Sequence, residues 1–275
     1  MTDKQDPGAV LPPDDDFNNP SSDIGDETDE APQEIEISFE RVLEILEKGE
    51  VETEHGSIRW SSNYTFLLTV KQDDTGVMCV YKPRMGERPL WDFPDGTLYL
   101  RERASFLTSQ RLGWQVVPPT VIREGPRGPG SMQFYVDHDP EYNYFSFDSS
   151  LKSQLARLSL FDCMVNNADR KGGHCLVDST NHLWGIDQGL TFNVAHKLRT
   201  VIWDFAGQNI PALLLKDIQR LCDDLNDTDG TYFCNLQNLL APQELVAFQR
   251  RVERIIKSGR YPKPGPGPNY PWPPV

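Results

Sequence analysis

Two carboxylates eighteen residues apart, Asp169 and Asp187, are the side chains of this sequence best placed to do chemistry. Asp169 stands in Asn167-Ala168-Asp169-Arg170-Lys171-Gly172-Gly173-His174, and Asp187 in Trp184-Gly185-Ile186-Asp187-Gln188-Gly189. Between them, Cys175 to Asp178 and His182 to Ile186 read as the strands of a hairpin turned by Ser179-Thr180-Asn181, which brings both carboxylates to one end. Phosphoryl transfer needs such a pair: one carboxylate holds a divalent cation at the phosphates while the other orients or deprotonates the attacking hydroxyl. Taken alone, the stretch fits equally well a surface ion pair at Asp169-Arg170 and a turn residue at Asp187, so the rest of the chain has to decide.

Composition narrows the classes. The 275 residues carry a net charge of −14, which argues against a nucleic-acid partner. Residues 1–34 hold eleven acids and one Lys, a net of −10 that leaves −4 for the remainder. This acidic segment, with Asp14-Asp15-Asp16 among prolines and few apolar side chains, is expected to be a disordered tail. There is no secretory-type start, and no stretch approaches the roughly 18 apolar residues of a membrane span, so no integral membrane association is expected. The five cysteines form no CxxC pair and stand mostly in apolar runs, which points to buried, reduced thiols and a cytoplasmic location.

The elements that must position the carboxylates begin near Ile35. Ser38 caps a helix with Phe39, Val42, Leu43 and Leu46 at helical spacing, ended by Gly49. Three strands follow, Val51 to Trp60, Thr65 to Lys71 and Val77 to Tyr81, the last two joined at Asp73-Asp74-Thr75-Gly76. The Ser61 to Thr65 turn, with Ser62 and Asn63 at its centre, either aims hydroxyls and N–H groups at an anion or is an ordinary polar turn. Lys82 ends the third strand, where a lysine either pairs phosphates or snorkels to solvent. After a Pro- and Gly-rich loop, a helix over 97–112 carries Glu102 in its first turns, within reach of Lys82. Strands are expected at Pro119 to Arg123 and Ser131 to Asp137 around the Gly125 to Gly130 turn, with Phe134-Tyr135-Val136 as an extended hinge offering backbone groups to an adenine edge or simply packing its aromatics.

From Asp148 the chain turns helical. Leu151, Leu155, Leu158 and Val165 share a face leading into the Asp169 loop. Helices from about Pro211 and from Pro242 to Gly259 follow, and then a Pro-, Gly- and aromatic-rich tail, 261–275, expected to be extended or loose.

Six blocks in this order resemble the type II phosphatidylinositol 4-kinases: Val80-Tyr81-Lys82-Pro83; Tyr99 to Glu102 with Phe106-Leu107; Val117 to Thr120; Gly130 to Gln133; Asn167 to Arg170; and Ile186 to Phe192. The whole resembles a bacterial phosphatidylinositol 3-/4-kinase-like family, related more distantly to HipA-type kinases, over roughly residues 50–205. The resemblance implies an α+β, bilobal protein-kinase-like fold: a strand-rich N-lobe at about 35–137 and a helical C-lobe at about 138–260. It implies that Lys82 holds the ATP phosphates, Glu102 steadies Lys82, Asp169 orients the acceptor hydroxyl, Asp187 holds Mg²⁺, and Arg170 is an ion-pair partner within its loop.

Two departures qualify this. Where the relatives place an Asn ligand five residues after the catalytic Asp, this chain has His174, which favours a softer ion such as Mn²⁺, contacts a phosphate, or binds nothing. No cysteine cluster follows Lys82, so the expected acceptor is a protein or small soluble hydroxyl rather than a lipid. The reading is an ATP- and Mg²⁺- or Mn²⁺-dependent phosphotransferase; the alternatives are a nucleotide-binding pseudokinase and an interaction protein recruiting partners through its tails.

Overall fold

The computed structural model describes residues 37–57 and 63–275. The acidic segment 1–34 and Ser62 lie outside the described residues.

The first half is a five-stranded antiparallel sheet with one helix on each side of its chain path. Helix α1 (Phe39–Lys48) is capped by Ser38, whose Oγ accepts from the Arg41 N–H at 3.2 Å, and it buries Val42, Ile45 and Leu46. Strands β1 (Glu50–Ser57), β2 (Phe66–Gln72) and β3 (Thr75–Pro83) form the expected meander. Strand alternation sends Val77, Cys79 and Tyr81 into the core under α1 and leaves Val80 and Lys82 on the opposite face. Helix α2 (Leu98–Leu112) ends at Gly113, which takes the left-handed conformation.

Strands β4 (Thr120–Gly125) and β5 (Gly128–Phe134) complete the sheet in the order β1-β2-β3-β5-β4. The glycine-rich stretch expected to be a six-residue turn is mostly strand: only Pro126-Arg127 turns the chain, and Gly125 pairs with Gly128. Pro129 is tolerated because β3 stops opposite Gly130, so the missing N–H removes no bond on that side. Gly130 is required where it stands, since a Cβ there would lie 2.5 Å from the Lys82 carbonyl oxygen.

The second half is helical around α3 (Lys152–Val165), which is buried on nearly every side from Leu158 onward. The short hairpin β6 (Cys175–Val177) and β7 (Leu183–Gly185) follows it. Helices α4 (Ala212–Asn226), α5 (Thr231–Gln237) and α6 (Pro242–Ser258) enclose the core. Helix α5 has no counterpart in the sequence reading, being only two turns long. Of the five cysteines, four are buried; Cys234, on α5, is exposed, because a helix this short buries little beyond Leu236. The tail after α6 has no helix or strand, yet it is pinned: Tyr261 is buried, the Thr200 N–H donates to Asn269 at 3.1 Å, and the Gly172 N–H donates to Pro274 at 2.7 Å. Among the described residues, no helix is long and apolar enough to cross a membrane.

Candidate active site

The site forms where the end of β3, the start of α2 and the two loops around the β6–β7 hairpin converge. Lys82 Nζ is bonded to Glu102 and lies 3.0 Å from Asp187 Oδ1. Burial, the largest influence on Lys82, works against its charge, and the Asp187 and Glu102 carboxylates more than reverse it, so its pKa is raised. Glu102 is buried, and its second oxygen accepts from the Gln188 N–H at 3.0 Å. One carboxylate thereby ties α2 both to the N-terminal sheet and to the segment after Asp187.

Asp187 takes a left-handed backbone conformation, φ 58°, which is uncommon for a residue with a Cβ and is held by its surroundings. Its side chain is half-exposed in the cleft. Lys82 is the largest influence in holding its carboxyl well below the usual range, with His174 and Arg170 acting the same way against desolvation. Asp169, by contrast, is pushed up to about 6, chiefly by burial and further by the Asp187 charge, although Lys171, 3.4 Å away, pulls it down. A carboxylate with a pKa near 6 is ionised at neutral pH and still basic enough to accept a proton.

His174 completes this end of the hairpin. Its Nδ1 lies 2.9 Å from the Asp169 carbonyl oxygen, which can only accept, so Nδ1 carries the hydrogen. Burial pushes its pKa down to about 4, leaving the imidazole neutral with a bare Nε2. That nitrogen faces Asp187 Oδ2 at 3.5 Å, so two lone pairs confront each other. A cation between them removes the repulsion. Ligand atoms of Asp169, His174 and Asp187 all lie within 4.8 Å of one another, and a mixed carboxylate and imidazole donor set suits a divalent ion.

The loop itself is built on a second, fully buried charge pair. Arg170 is an ion-pair partner, but of Asp162 on α3 rather than of a group within the loop: Nε lies 2.9 Å from Oδ2 and Nη2 3.0 Å from Oδ1. Its Nη1 donates to the carbonyls of His174 and Ile186 at 3.1 and 2.7 Å, gripping the residues where the chain enters and leaves the hairpin. Asn167 donates to Asp162 and accepts from the Asp169 N–H at 2.9 Å, which fixes the turn that carries Asp169. Asn166 ends α3 in the left-handed conformation and donates to the carbonyls of Asn193 and Ala195. Arg101 beside Glu102 reaches Glu244 of α6 at 2.5 Å and the Thr191 carbonyl at 2.7 Å. Sequence reasoning assigned no role to Asp162, Asn167 or Arg101. A lone Asp inside the apolar run Leu160 to Val165 was the available signal for the first.

Lys82, Glu102, Asp169 and Asp187 line one cavity of about 130 Å³ together with Asn63, whose Oδ1 accepts from the Arg88 N–H at 2.9 Å. Phe134, Tyr135 and Val136 are not among its lining. The Phe134 and Tyr135 N–H groups donate to the carbonyls of Pro119 and Met78 at 2.8 and 2.9 Å, while the Val136 carbonyl faces His138 Nδ1. Of the three, Val136 is the residue whose N–H makes no backbone bond among the described residues.

Comparison with known proteins identifies relatives and a fold neighbour. The family model for phosphatidylinositol 3- and 4-kinase matches residues 121–239, the stretch that contains Asp169, His174 and Asp187. Protein Rv2133c of Mycobacterium tuberculosis is 37% identical over 264 residues, spanning 83% of this chain and 94% of that protein. Among solved structures, the Helicobacter pylori proinflammatory kinase CtkA is similar in fold with a TM-score of 0.50, at 11% identity, over 78% of this chain and 93% of that one.

Proposed function

The chain belongs to the phosphatidylinositol 3- and 4-kinase-like family, and on that premise we propose that it is an ATP- and divalent-metal-dependent phosphotransferase acting on a protein or small soluble hydroxyl. The observation that carries the reading is Lys82 held between Glu102 and Asp187, with Asp169 across the same cavity. Lys82 neutralises phosphate oxygens; Glu102 keeps its ammonium in place. Asp187 and the bare Nε2 of His174, with Asp169 close by, would hold a divalent cation. Such an ion, when bound, supplies charge neutralisation at the transferring phosphoryl group. Asp169 orients the acceptor hydroxyl and takes its proton at the carboxylate, which the buried environment has tuned toward neutrality. The catalytic gain comes from positioning and preorganised charge, which is why the Asp162–Arg170 scaffold behind the loop belongs to the mechanism.

A nucleotide-binding pseudokinase is the second reading, favoured by His174 in place of the Asn of the relatives. The test is thermal denaturation with ATP and Mg²⁺ or Mn²⁺, combined with detection of γ-phosphate transfer. Stabilisation with transfer supports the enzyme. Stabilisation without transfer under either metal supports the pseudokinase, and no stabilisation of any kind removes both.

A further inference from the structure

Outside the cleft, a group of arginines lies between the segment after Asp187 and the last helix. A cavity of about 590 Å³ opens there, lined by His196 and by Arg250, Arg251 and Arg254 of α6, and no carboxylate lines it. Arg250 and Arg254 are exposed, stand one helical turn apart on the same face, and make no ion pair among the described residues. Like charges at this spacing repel one another along a helix face. This helix contains Glu253, yet it is not used to relieve them.

Two further observations point the same way. Arg251 is only 9% exposed; it donates from Nε to the Met164 carbonyl at 2.9 Å and from Nη1 to the Asn193 carbonyl at 3.0 Å, and its Nη2 has no hydrogen-bond partner among the described residues. Burial and then the neighbouring Arg254 push it down to about 10 against the pull of Glu244, so it remains charged at neutral pH. The first turn of α6, Pro242 and Gln243, also lines the cavity, and the positive end of a seventeen-residue helix adds to the field there.

We propose that this cavity is a second anion site, for a phosphate-class dianion, separate from the nucleotide cleft. Guanidinium pairs match phosphate oxygens in geometry as well as in charge. The site is linked to the catalytic loop: Arg251 and Asn166 both donate to the Asn193 carbonyl, and Asn166 immediately precedes the Asn167 to Asp169 turn. Leu190 lines the cleft and Val194 lines the cavity, and four residues span at most about 14 Å. A phosphate-bearing ligand seated here stands close to the cleft but outside it.

The test is calorimetric titration with inorganic phosphate at low ionic strength, using wild type, Arg250→Gln/Arg254→Gln and Lys82→Ala. Binding weakened about tenfold or more in the arginine variant and unchanged in Lys82→Ala supports the site. In a parallel arm, wild type and the arginine variant are sedimented with phosphatidylcholine vesicles with and without phosphatidylinositol 4-phosphate. Arginine-dependent binding seen only there supports the site with a lipid headgroup as the source. Equal phosphate binding by wild type and the arginine variant, loss in Lys82→Ala alone, or no arginine-dependent binding in either arm overturns it. Both substituted arginines are exposed, so the variant is expected to fold, with a melting temperature at or slightly above that of wild type. Nucleotide-induced stabilisation of the same variant is read separately; the phosphotransferase reading and this one can each fail alone.

Discussion

Two aspartate–cation pairs flank the same loop and behave in opposite ways. Asp162 and Arg170 are both fully buried, joined by two short bonds, and every remaining donor of the guanidinium that reaches the hairpin finds a carbonyl. Asp187 and Lys82 are 47% and 19% exposed, and each has a second neighbour: the Glu102 carboxylate beside Lys82 and the neutral His174 imidazole beside Asp187. The first pair has nothing left to give a ligand. On the proposed function, an arriving phosphate and cation would replace the direct Lys82–Asp187 contact of the second. Satisfied charge makes the scaffold, and under-satisfied charge makes the site.

Breaking the scaffold should have the largest effect. Asp162→Ala leaves the Arg170 guanidinium buried without its counter-ion, and should cost about 3–5 kcal/mol in denaturant unfolding. Lys82→Ala also removes a counter-ion, but Asp187 is half-exposed to solvent and Glu102 keeps the Gln188 N–H, so it should lower stability by less. If the two variants unfold at the same denaturant concentration, the contrast is wrong.

Asp169→Asn should reduce phosphate transfer by about 10²-fold or more while leaving nucleotide-induced stabilisation nearly intact. It should also stabilise the ligand-free protein near neutral pH, by about 1–3 kcal/mol. The sign follows from a folded-state pKa raised to about 6: the folded form holds the proton more tightly than the unfolded one, so stability falls as pH rises from near 4 to 6, and Asn escapes that loss. Transfer at the wild-type rate by this variant would refute the assignment.

Lys82→Ala should abolish most of the stabilisation by ATP with a divalent ion, which for wild type is about 2.7 kcal/mol at a ligand concentration of 100 Kd. A wild-type-sized shift in the variant would place the nucleotide elsewhere. The pH profile of transfer should fall about tenfold per unit below pH 6 as Asp169 protonates, and this limb should vanish from the residual rate of Asp169→Asn. The smallest change is expected from His174→Asn, which should shift metal preference from Mn²⁺ toward Mg²⁺ by up to about tenfold. An unmoved preference in transfer assays would remove His174 from the ligand set.

What the sequence by itself determined is local. Ser38 and Gly49 bound α1, the alternation of β3 places Lys82 opposite Tyr81, and helical spacing puts Glu102 near the start of α2. The order of Lys82, Glu102, Asp169 and Asp187 could be read because each stands next to a strong strand, helix or hairpin signal. Tertiary structure decided everything that depends on a distant partner or on burial. Arg101 meets Glu244 across 143 residues, and Lys82 meets Asp187 across 105. The Phe134 and Tyr135 N–H groups are taken up by neighbouring chain segments, and the tail is pinned to the Gly172 loop, although neither contact has a local sequence signature. The raised Asp169 pKa, the bare Nε2 of His174 and the unpaired arginines of α6 arise from desolvation and from which charges packing brings close. Propensity and capping act over a few residues, whereas electrostatic character depends on the dielectric and neighbours that only the packed chain supplies.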